Sequence, residues 1–456
     1  MNKTASFQVD FTQGSILGRA ARFALPICIG NILQQMYSTV DTLVIGNYCD
    51  AAALAAVATS SQPLEILLCV FLGIGSGISI LVSQMAGAGN STQMQNLVRT
   101  AVFFLYAAAL PLTVVGLLLG PALLRLMNVP ADAMPYAVQY LQITTIGILG
   151  NMGYNFNAGI LRGLGNSTSS LLLLGISCTA NIVLDLVLVA GLGMGVSGAA
   201  WATAAALFLS WGFSILYIRH SCPEMNFPIF PCGFDKNILR DMIRIGLPLG
   251  LNTALYSVGH LLLQTILNGQ GAAFVAGCSV AGKVSGIANI AITSYSSAAT
   301  VFAGQNMGAE NYRRLRKGAW QIPLFSGAVT LIGGLVVTAC CRPLLALFTK
   351  DTAVLDFAQR YIYIVLPFTW AYAVFNGIMC FVNGIGEIRY PTVVNILLLW
   401  VVRIPAAYLL AWTGHGDYAM ISVSLSFVTG MVAMLLYFRT HRWRDLCALA
   451  ERQENL

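Results

Sequence analysis

The sequence has few charged residues. Of its 456 residues, 9% are Asp, Glu, Lys or Arg, whereas 57% are hydrophobic. A soluble globular domain carries about 25% charged residues, so the chain lacks the polar groups that would cover a water-exposed surface. This shortage excludes a soluble enzyme or binding module. The net charge of +7 is interpreted as a signal for orientation in the bilayer, and no nucleic-acid partner is predicted.

The sequence also lacks the patterns of a disulfide framework or a metal centre. Its eleven cysteines are an odd number, show no CxxC spacing and fall mostly inside apolar runs. We interpret them as small apolar core residues. The four histidines are spread along the chain, and no Ser/Lys or His-rich cluster indicates a membrane-embedded enzyme. No cofactor and no cleaved signal peptide are predicted.

Long apolar runs are what the chain does have. A spanning helix needs roughly 20 mostly apolar residues, and twelve such runs predict an all-α membrane protein with twelve transmembrane helices. Prolines at 26, 111, 248, 323, 367 and 405 lie in or near these runs and predict kinks, because neighbouring helices can satisfy the freed backbone groups. The predicted spans are 20–46, 55–86, 97–119, 134–160, 169–190, 195–218, 243–267, 273–304, 317–339, 356–381, 391–412 and 417–438.

The basic residues fix the predicted orientation. With twelve spans, 18 Lys and Arg fall in the segments or at the span ends on one side and 4 on the other, while Lys283 and Arg403 lie in span interiors. Positively charged loops stay in the cytoplasm. The sequence therefore predicts a multi-pass protein of the cell (inner) membrane with both termini cytoplasmic.

The two halves of the sequence resemble each other at a nearly constant offset in residue number. Arg22-Phe-Ala-Leu-Pro26 aligns with Arg244-Ile-Gly-Leu-Pro248, and each segment opens a span. Because each half has six spans, the halves share one orientation and are predicted to form two six-helix lobes related by a pseudo-two-fold axis along the membrane normal. The predicted domains are an N-lobe (1–218), a cytoplasmic linker (219–242), a C-lobe (243–440) and a cytoplasmic tail (441–456).

Three acids, Asp41, Glu65 and Asp185, lie in the interior of predicted spans, away from the span ends, and ionisable residues there are costly and usually functional. Asn181 and Asp185 are four residues apart and share a helix face. Counted from the helix ends at about 1.5 Å per residue, Asp41, Asn181, Asp185 and Thr203 reach a similar depth in the outer half of the N-lobe. Such an all-oxygen set suits a hard cation or a shared proton. The alternative is that the acids only hydrogen-bond neighbouring helices.

The second half does not repeat these acids. Leu263 stands at the position of Asp41, Ala407 at that of Asp185, and Arg403 at that of Asn181. Lys283 and Arg403 could snorkel, pair with Glu65 or line the cavity, and the sequence does not choose among these roles. Five polar or aromatic residues are predicted to line a central substrate cavity: Gln34, Tyr37, Asn155, Asn157 and Tyr295.

Several stretches together resemble the multidrug and toxic compound extrusion (MATE) family. They are Val40-Asp41-Thr42, Gln84-Met-Ala-Gly-Ala-Gly89, Asn157-Ala-Gly-Ile-Leu-Arg-Gly-Leu-Gly165, Asn181…Asp185 and Gly195-Val-Ser-Gly-Ala-Ala-Trp-Ala-Thr203. The resemblance covers essentially the whole chain. It implies two six-helix bundles in V-shaped arrangement that exchange an internal organic cation for external Na⁺ or H⁺.

The resemblance is to the DinF-like bacterial branch with a first-lobe ion site. It implies that Asp41, Asn181, Asp185 and Thr203 hold the coupling ion, and that they act as metal ligands if the ion is Na⁺. The implied partners are a small organic molecule and the lipid bilayer, and a monomer is expected. A second-lobe cation site is not expected, because Leu263, Gln264 and Asn376 stand where an acid would be needed.

Two other transport functions compete with the antiporter. A flippase for a lipid-linked or amphiphilic metabolite belongs to the same superfamily, and Lys283 and Arg403 would suit its cationic cavity, although such proteins often have fourteen spans. A channel is disfavoured because a two-lobe repeat with one ion site is typical of a carrier. The sequence names neither the substrate nor the coupling ion.

Overall fold

Helices make up the secondary structure of the described chain. The structure is a computed structural model that describes residues 8–127 and 129–454, without the side chains of 51–55, 58, 61–67, 126, 287, 441 and 454. The α-helices are α1 (Ile16–Tyr48), α2 (Ala51–Gly87), α3 (Ser91–Leu126), α4 (Met134–Ile146), α5 (Ile148–Gly163), α6 (Ser167–Asp185), α7 (Gly195–Ser221), α8 (Lys236–Asn268), α9 (Ala272–Gly308), α10 (Tyr312–Ala339), α11 (Cys341–Ala346), α12 (Thr352–Val365), α13 (Thr369–Gly384), α14 (Arg389–Leu397), α15 (Ile404–Trp412), α16 (Ile421–Tyr437) and α17 (His441–Glu454).

These helices combine into membrane passages. Among the described residues, eight continuous helical segments are long and apolar enough to cross a membrane, and up to ten if each of two bent pairs counts as one span. The α4–α5 pair and α8 supply two further passages. Neither member of the pair is long enough to cross alone, and the apolar sequence of α8 is diluted by polar residues such as Asn252 and His260. Twelve passages result, six before the connection at 222–235 and six after it.

Several passages change helix type inside the membrane. A break at Gly147 separates α4 from α5, and a 3₁₀ turn, Leu366–Phe368, separates α12 from α13. Two π-helical segments, Leu186–Gly191 after α6 and Leu398–Arg403 between α14 and α15, interrupt the regular hydrogen-bond ladder. Such π segments are frequent at functional sites.

The prolines behave in two ways. Those at 26, 111, 248 and 323 lie inside continuous helices. Pro367 lies in the 3₁₀ turn, and Pro405 is at the start of α15, directly after a π segment. At these two positions the missing N–H coincides with a change of helix type. Each passage nevertheless continues past its proline as one span, Thr352–Gly384 and Arg389–Trp412, as the prediction of kinks and not breaks requires.

The internal repeat extends to the turn between the second and third passages of each half. Gly89 has φ +65°, and Asn90 then caps α3 by accepting a hydrogen bond from the backbone N of Gln93. In the second half, Glu310 has φ +51° and Asn311 caps α10 in the same way. Both turns use a left-handed residue followed by an Asn cap, which satisfies an orphan N–H of the next helix.

The described chain forms two units by its internal contacts. Unit 1 contains Ile29–Leu251 and the described residues up to Val9, whereas unit 2 contains Asp10–Cys28 and Asn252–Leu456. The first half of α1 therefore belongs to unit 2, and the first half of α8 belongs to unit 1. Each change of unit lies a few residues after the proline of its helix. The lobe boundaries inferred from the sequence stay a prediction.

Glycines allow α2 and the first half of α8 to approach closely within unit 1. Gly73 and Gly77 on α2 face Gly246 and Gly250 on α8, so that a Cβ atom added at Gly73 would overlap the backbone nitrogen of Gly250. A Cβ at Gly77 would lie 3.0 Å from Gly246 Cα. Both helices thus carry the small-xxx-small spacing that permits backbone contact between helices in lipid.

The C-terminal tail is an ordered helix. Trp443 and Ala450 of α17 are buried, and the helix packs on α10. Two ion pairs connect α17 to other parts of the chain. Arg442 pairs with Glu387 at 2.6 Å, and Glu451 pairs with Arg316 at 3.4 Å. The sequence analysis predicted residues 441–456 only as a tail, because a sequence alone does not show which neighbour such a segment packs against.

The glycine contact gives a stability prediction. Gly73→Ala should destabilise the protein by about 1–3 kcal/mol, because the added methyl group overpacks the α2–α8 contact. Gly75→Ala is the control in the same helix. Its Cβ would lie 3.5 Å from Phe156 Cδ1, an ordinary contact, and alanine favours the helix by up to about 1 kcal/mol. Thermal unfolding of both variants in detergent measures the difference, and equal midpoints would contradict the packing described here.

Candidate functional site

Four oxygen-bearing side chains meet inside unit 1. Asp41 lies on α1, Asn181 and Asp185 lie on the last turns of α6, and Thr203 lies on α7. Asp185 is fully buried and Asn181 nearly so, while Asp41 and Thr203 are half-buried. These are the four residues that the depth count grouped together, and their role remains a prediction.

Asn181 connects α6 to α7 through its amide group. The hydrogen-bond network orients the amide nitrogen towards Asp185, where it donates to Oδ2 at 2.8 Å. The amide oxygen then accepts from the backbone N of Thr203 at 3.3 Å and from its Oγ1 at 3.2 Å. The orientation is assigned from these partners, and it satisfies both ends of a buried amide.

The two carboxyl groups face each other without a basic partner. Asp41 and Asp185 lie within hydrogen-bonding reach of each other. In the described part of the chain neither forms a salt bridge, and the Oδ1 atom of each is buried without a hydrogen-bond partner. Two adjacent buried carboxylates cannot both stay ionised without a compensating charge. Such a pair can hold a proton or a cation, and whether this pair does so stays a prediction.

Two tyrosines complete the polar surroundings. The Tyr37 hydroxyl on α1 is within hydrogen-bonding reach of Thr203 and lies close to both acids. Tyr140 on α4 is buried beside the same pair. Tyr37 was predicted only as a cavity residue, and Tyr140 was missed. Counting residues from the helix ends would have found Tyr140. It lies six residues from the start of α4, a depth similar to that of Thr203, which lies eight residues from the start of α7.

An apolar layer covers one side of the carboxyl pair. It consists of Val44 and Ile45 on α1, Val189 in the π segment and Ala199 on α7, all buried. Each lies about one helical turn along its own helix from Asp41, Asp185 or Thr203. The layer excludes water from that side, which strengthens the electrostatic interactions of the acids.

The other predicted cavity residues make local contacts. Gln34 is exposed on α1. Asn155 is half-buried and donates to Asn151 on its own helix at 2.9 Å. Asn157 is buried and donates to Ser214 Oγ on α7 at 2.7 Å. Tyr295, in unit 2, packs edge-on against Phe325 with ring centroids 5.5 Å apart. Of the five, Tyr37 is the one whose contacts place it at the carboxyl pair.

Unit 2 has an apolar cluster where the acids stand in unit 1. Leu263 and Ala407, the residues at the positions of Asp41 and Asp185, are buried together with Ala419. Lys283 is exposed, with Nζ 5.9 Å from the centroid of the Phe348 ring. The side chain of Glu65, one of its predicted partners, lies outside the described residues.

The comparisons with known proteins identify the family. Residues 26–187 and 248–409 each match the MatE family model, and the two matches start at Pro26 and Pro248, the prolines that the sequence repeat aligns. The chain is 28% identical over 448 residues to "Probable multidrug resistance protein YpnP" of Bacillus subtilis (strain 168), covering 97% of this chain and 99% of the relative. It is 28% identical over 433 residues to "Probable multidrug resistance protein YoeA" of the same strain, covering 90% and 91%.

A solved structure shares the fold. An outward-facing multidrug resistance MATE family transporter of the MOP superfamily superimposes with a TM-score of 0.85 at 22% identity, covering 97% of this chain and 99% of the other. With the family match, this likeness confirms the twelve-helix, two-lobe architecture and the multi-pass membrane location predicted from the sequence.

The asparagine contacts give a second stability prediction. Asn157→Ala removes a buried hydrogen bond between α5 and α7 and should cost about 1–3 kcal/mol. Asn155→Ala removes bonds within one helix and should cost less than about 0.5 kcal/mol. Thermal unfolding in detergent compares them. A larger loss for Asn155→Ala would show that Asn157 does not carry the α5–α7 contact.

Proposed function

Since the chain belongs to the MatE family, whose members are secondary transporters and not enzymes, we propose that it is a cation-coupled antiporter that exports organic compounds. The coupling ion is H⁺ or Na⁺, and it binds at Asp41 and Asp185. The observation that carries this proposal is the buried pair of carboxyl groups without a basic partner.

Proton and sodium ion place different demands on the site. A proton shared between Asp41 and Asp185 suits the present hydrogen bonds, because the Asn181 amide nitrogen already donates to Asp185. A sodium ion takes oxygen ligands, as other hard cations do. The two carboxylates and the Thr203 hydroxyl could supply them at once, whereas the Asn181 amide would have to turn its oxygen inward. The two ions thus differ in the orientation that they require of the Asn181 amide.

Transport follows from the change of charge at this pair. In the proposed cycle, an outward-open form binds the ion, the carboxyl pair becomes neutral, and α1 bends at Pro26. Drug affinity falls, the drug leaves outward, and the lobes rock inward to release the ion. Support comes from α1 itself, which carries Asp41 in the half belonging to unit 1 and Pro26 in the half belonging to unit 2. One charge crossing 100 mV is worth about 2.3 kcal/mol, or roughly fiftyfold accumulation.

The substrate class rests on the relatives. Both Bacillus relatives are named as multidrug resistance proteins, so the exported compounds are proposed to be organic and cationic or amphiphilic. The transporter is proposed to act as a monomer, with its N-lobe (1–218) and C-lobe (243–440) on either side of the cytoplasmic linker and with both termini in the cytoplasm.

Dye efflux tests the antiporter. Proteoliposomes loaded with ethidium and given an imposed pH or Na⁺ gradient should lose dye with the wild-type protein. Asp41→Asn and Asp185→Asn should each lower gradient-driven efflux at least about tenfold, because each substitution removes an acid that must gain and lose the ion. The gradient that drives efflux identifies the ion.

Asp50→Asn is the matched control, since Asp50 is exposed after α1 and its side chain forms no helix-cap hydrogen bond. Its efflux should equal that of wild type. Efflux that survives both acid substitutions would contradict the proposed ion site but not the proposed transport function. No efflux of any organic cation under either gradient would contradict the antiporter and favour a flippase.

The orientation has its own test in two exposed cysteines. Cys232 lies in the connection between α7 and α8, and Cys340 lies between α10 and α11. The test uses single-cysteine variants, in which either Cys232 or Cys340 is the one cysteine kept. A membrane-impermeant maleimide should label Cys340 in intact cells and Cys232 only after permeabilisation. Labelling in the opposite sense would place both termini outside.

A further inference from the structure

Unit 2 contains a buried arginine in the middle of a membrane passage. Arg403 ends the π segment between α14 and α15 and is 7% exposed. Its Nε and Nη2 atoms donate to Ser426 Oγ on α16 at 2.9 and 2.7 Å. Its Nη1 atom donates to Tyr256 Oη on α8 at 3.0 Å. The side chain thus bonds to two passages other than its own.

These contacts leave the charge of Arg403 uncompensated. Within the described residues, Arg403 forms no salt bridge with an acidic side chain. A guanidinium has five N–H groups, and the three hydrogen bonds above use three of them. The rings of Phe427 and Tyr256 lie 5.4 and 5.9 Å from the guanidinium carbon and give partial cation–π stabilisation. A buried cation that lacks a counter-charge attracts an anion.

A small cavity adjoins the guanidinium. Its polar lining comes from Arg403, Tyr256, Tyr372, Asn395 and Ser426, and its remaining wall is apolar or aromatic. The space is about 10 Å³, close to the least that holds one water-sized ligand. Because the Tyr256 oxygen accepts from Arg403 and the Tyr372 oxygen accepts from Asn376 at 3.4 Å, both phenol protons remain free to donate.

We propose that unit 2 binds one small anionic group at Arg403. The group places a single atom in the cavity, either a halide ion or one oxygen of a carboxylate, between the guanidinium and the Tyr256 and Tyr372 hydroxyls. This anion site is separate from the carboxyl pair of unit 1, and it does not depend on the proposed antiport.

The internal repeat supports this assignment. Arg403 occupies the position of Asn181, and its bond to Ser426 joins the last two passages of its half, as the Asn181–Thr203 contact does in the first half. In unit 1 the residue at that position bonds to Asp185. In unit 2 the acids are replaced by the buried cluster of Leu263 and Ala407, so no internal anion remains for the arginine among the residues described there.

A purely structural role is the competing explanation, in which Arg403 only ties α8 and α16 to the π segment. The two roles differ in one measurable respect. A structural arginine stabilises the protein equally in every salt, whereas an anion site adds stability that rises with the concentration of the bound anion and saturates.

Thermal unfolding of the purified full chain in detergent separates the roles. Sodium methanesulfonate, a bulkier anion that is not a carboxylate, is replaced stepwise by sodium chloride, bromide or formate at constant pH, Na⁺ concentration and ionic strength. The wild-type midpoint should rise saturably by at least about 2 °C with the halides, with formate, or with both. Halides alone identify an inorganic ion, and formate alone identifies a carboxylate group.

The variants show whether Arg403 is responsible. Arg403→Gln should lose the anion-dependent shift. Arg403→Lys keeps the charge but loses the forked set of N–H donors. It should need an anion concentration about tenfold higher for the same rise in unfolding midpoint. Lys283→Met is the matched control, because it removes an exposed cation from the same unit, and it should respond as wild type does. An equal shift in Arg403→Gln, or no shift with any of the three anions, would overturn the proposal.

One further measurement holds even if Arg403→Gln fails to fold. Wild-type crystals soaked in sodium bromide and measured at the bromine absorption edge should show an anomalous peak among Arg403, Tyr256 and Tyr372. Bromide peaks elsewhere and none at this cluster would overturn the proposal.

Discussion

A carboxyl group surrounded by hydrocarbon must be neutral, paired or bound to a cation, and this requirement shapes unit 1. The helices α1 and α6 bring Asp41 and Asp185 together. Neither acid forms a salt bridge with a basic side chain among the described residues. The apolar layer that includes Val44 and Val189 keeps water from one side, so screening by solvent is weak there. In the proposed cycle, a mobile ion neutralises the pair.

Much of this arrangement could be read from the sequence, since helix geometry in a bilayer is simple. A rise of about 1.5 Å per residue turns position along a span into depth, and that count grouped Asp41, Asn181, Asp185 and Thr203. Depth says nothing about direction around a helix, so the sequence could not show that Asn157 bonds to Ser214 on α7. Its place in a substrate cavity stays a prediction. The π segments and the break at Gly147 also escaped prediction, because a shift in backbone hydrogen bonding leaves no distinct residue pattern.

The two halves of the chain have kept their backbone and changed their chemistry. The turns at Gly89–Asn90 and Glu310–Asn311 match in conformation and capping, because every helix start in a membrane must satisfy its free N–H groups. The side chains that face inward are under a weaker rule. They must be apolar, neutralised or supplied with a counter-charge. We propose that the acids of one half bind a cation and that Arg403 of the other half binds an anion.

The division of α1 and α8 between the units bears on how such a chain could have arisen. Unit 2 includes Asp10–Cys28 from the start of the chain, and unit 1 runs on to Leu251, past the start of α8. Neither unit is complete in its own half of the sequence. A half-length ancestor with this packing would have formed complete units only as a dimer. In that dimer, the first half of the first helix of each copy would have packed in the unit formed by the other copy. Gene duplication would then have joined two chains that were already exchanging segments.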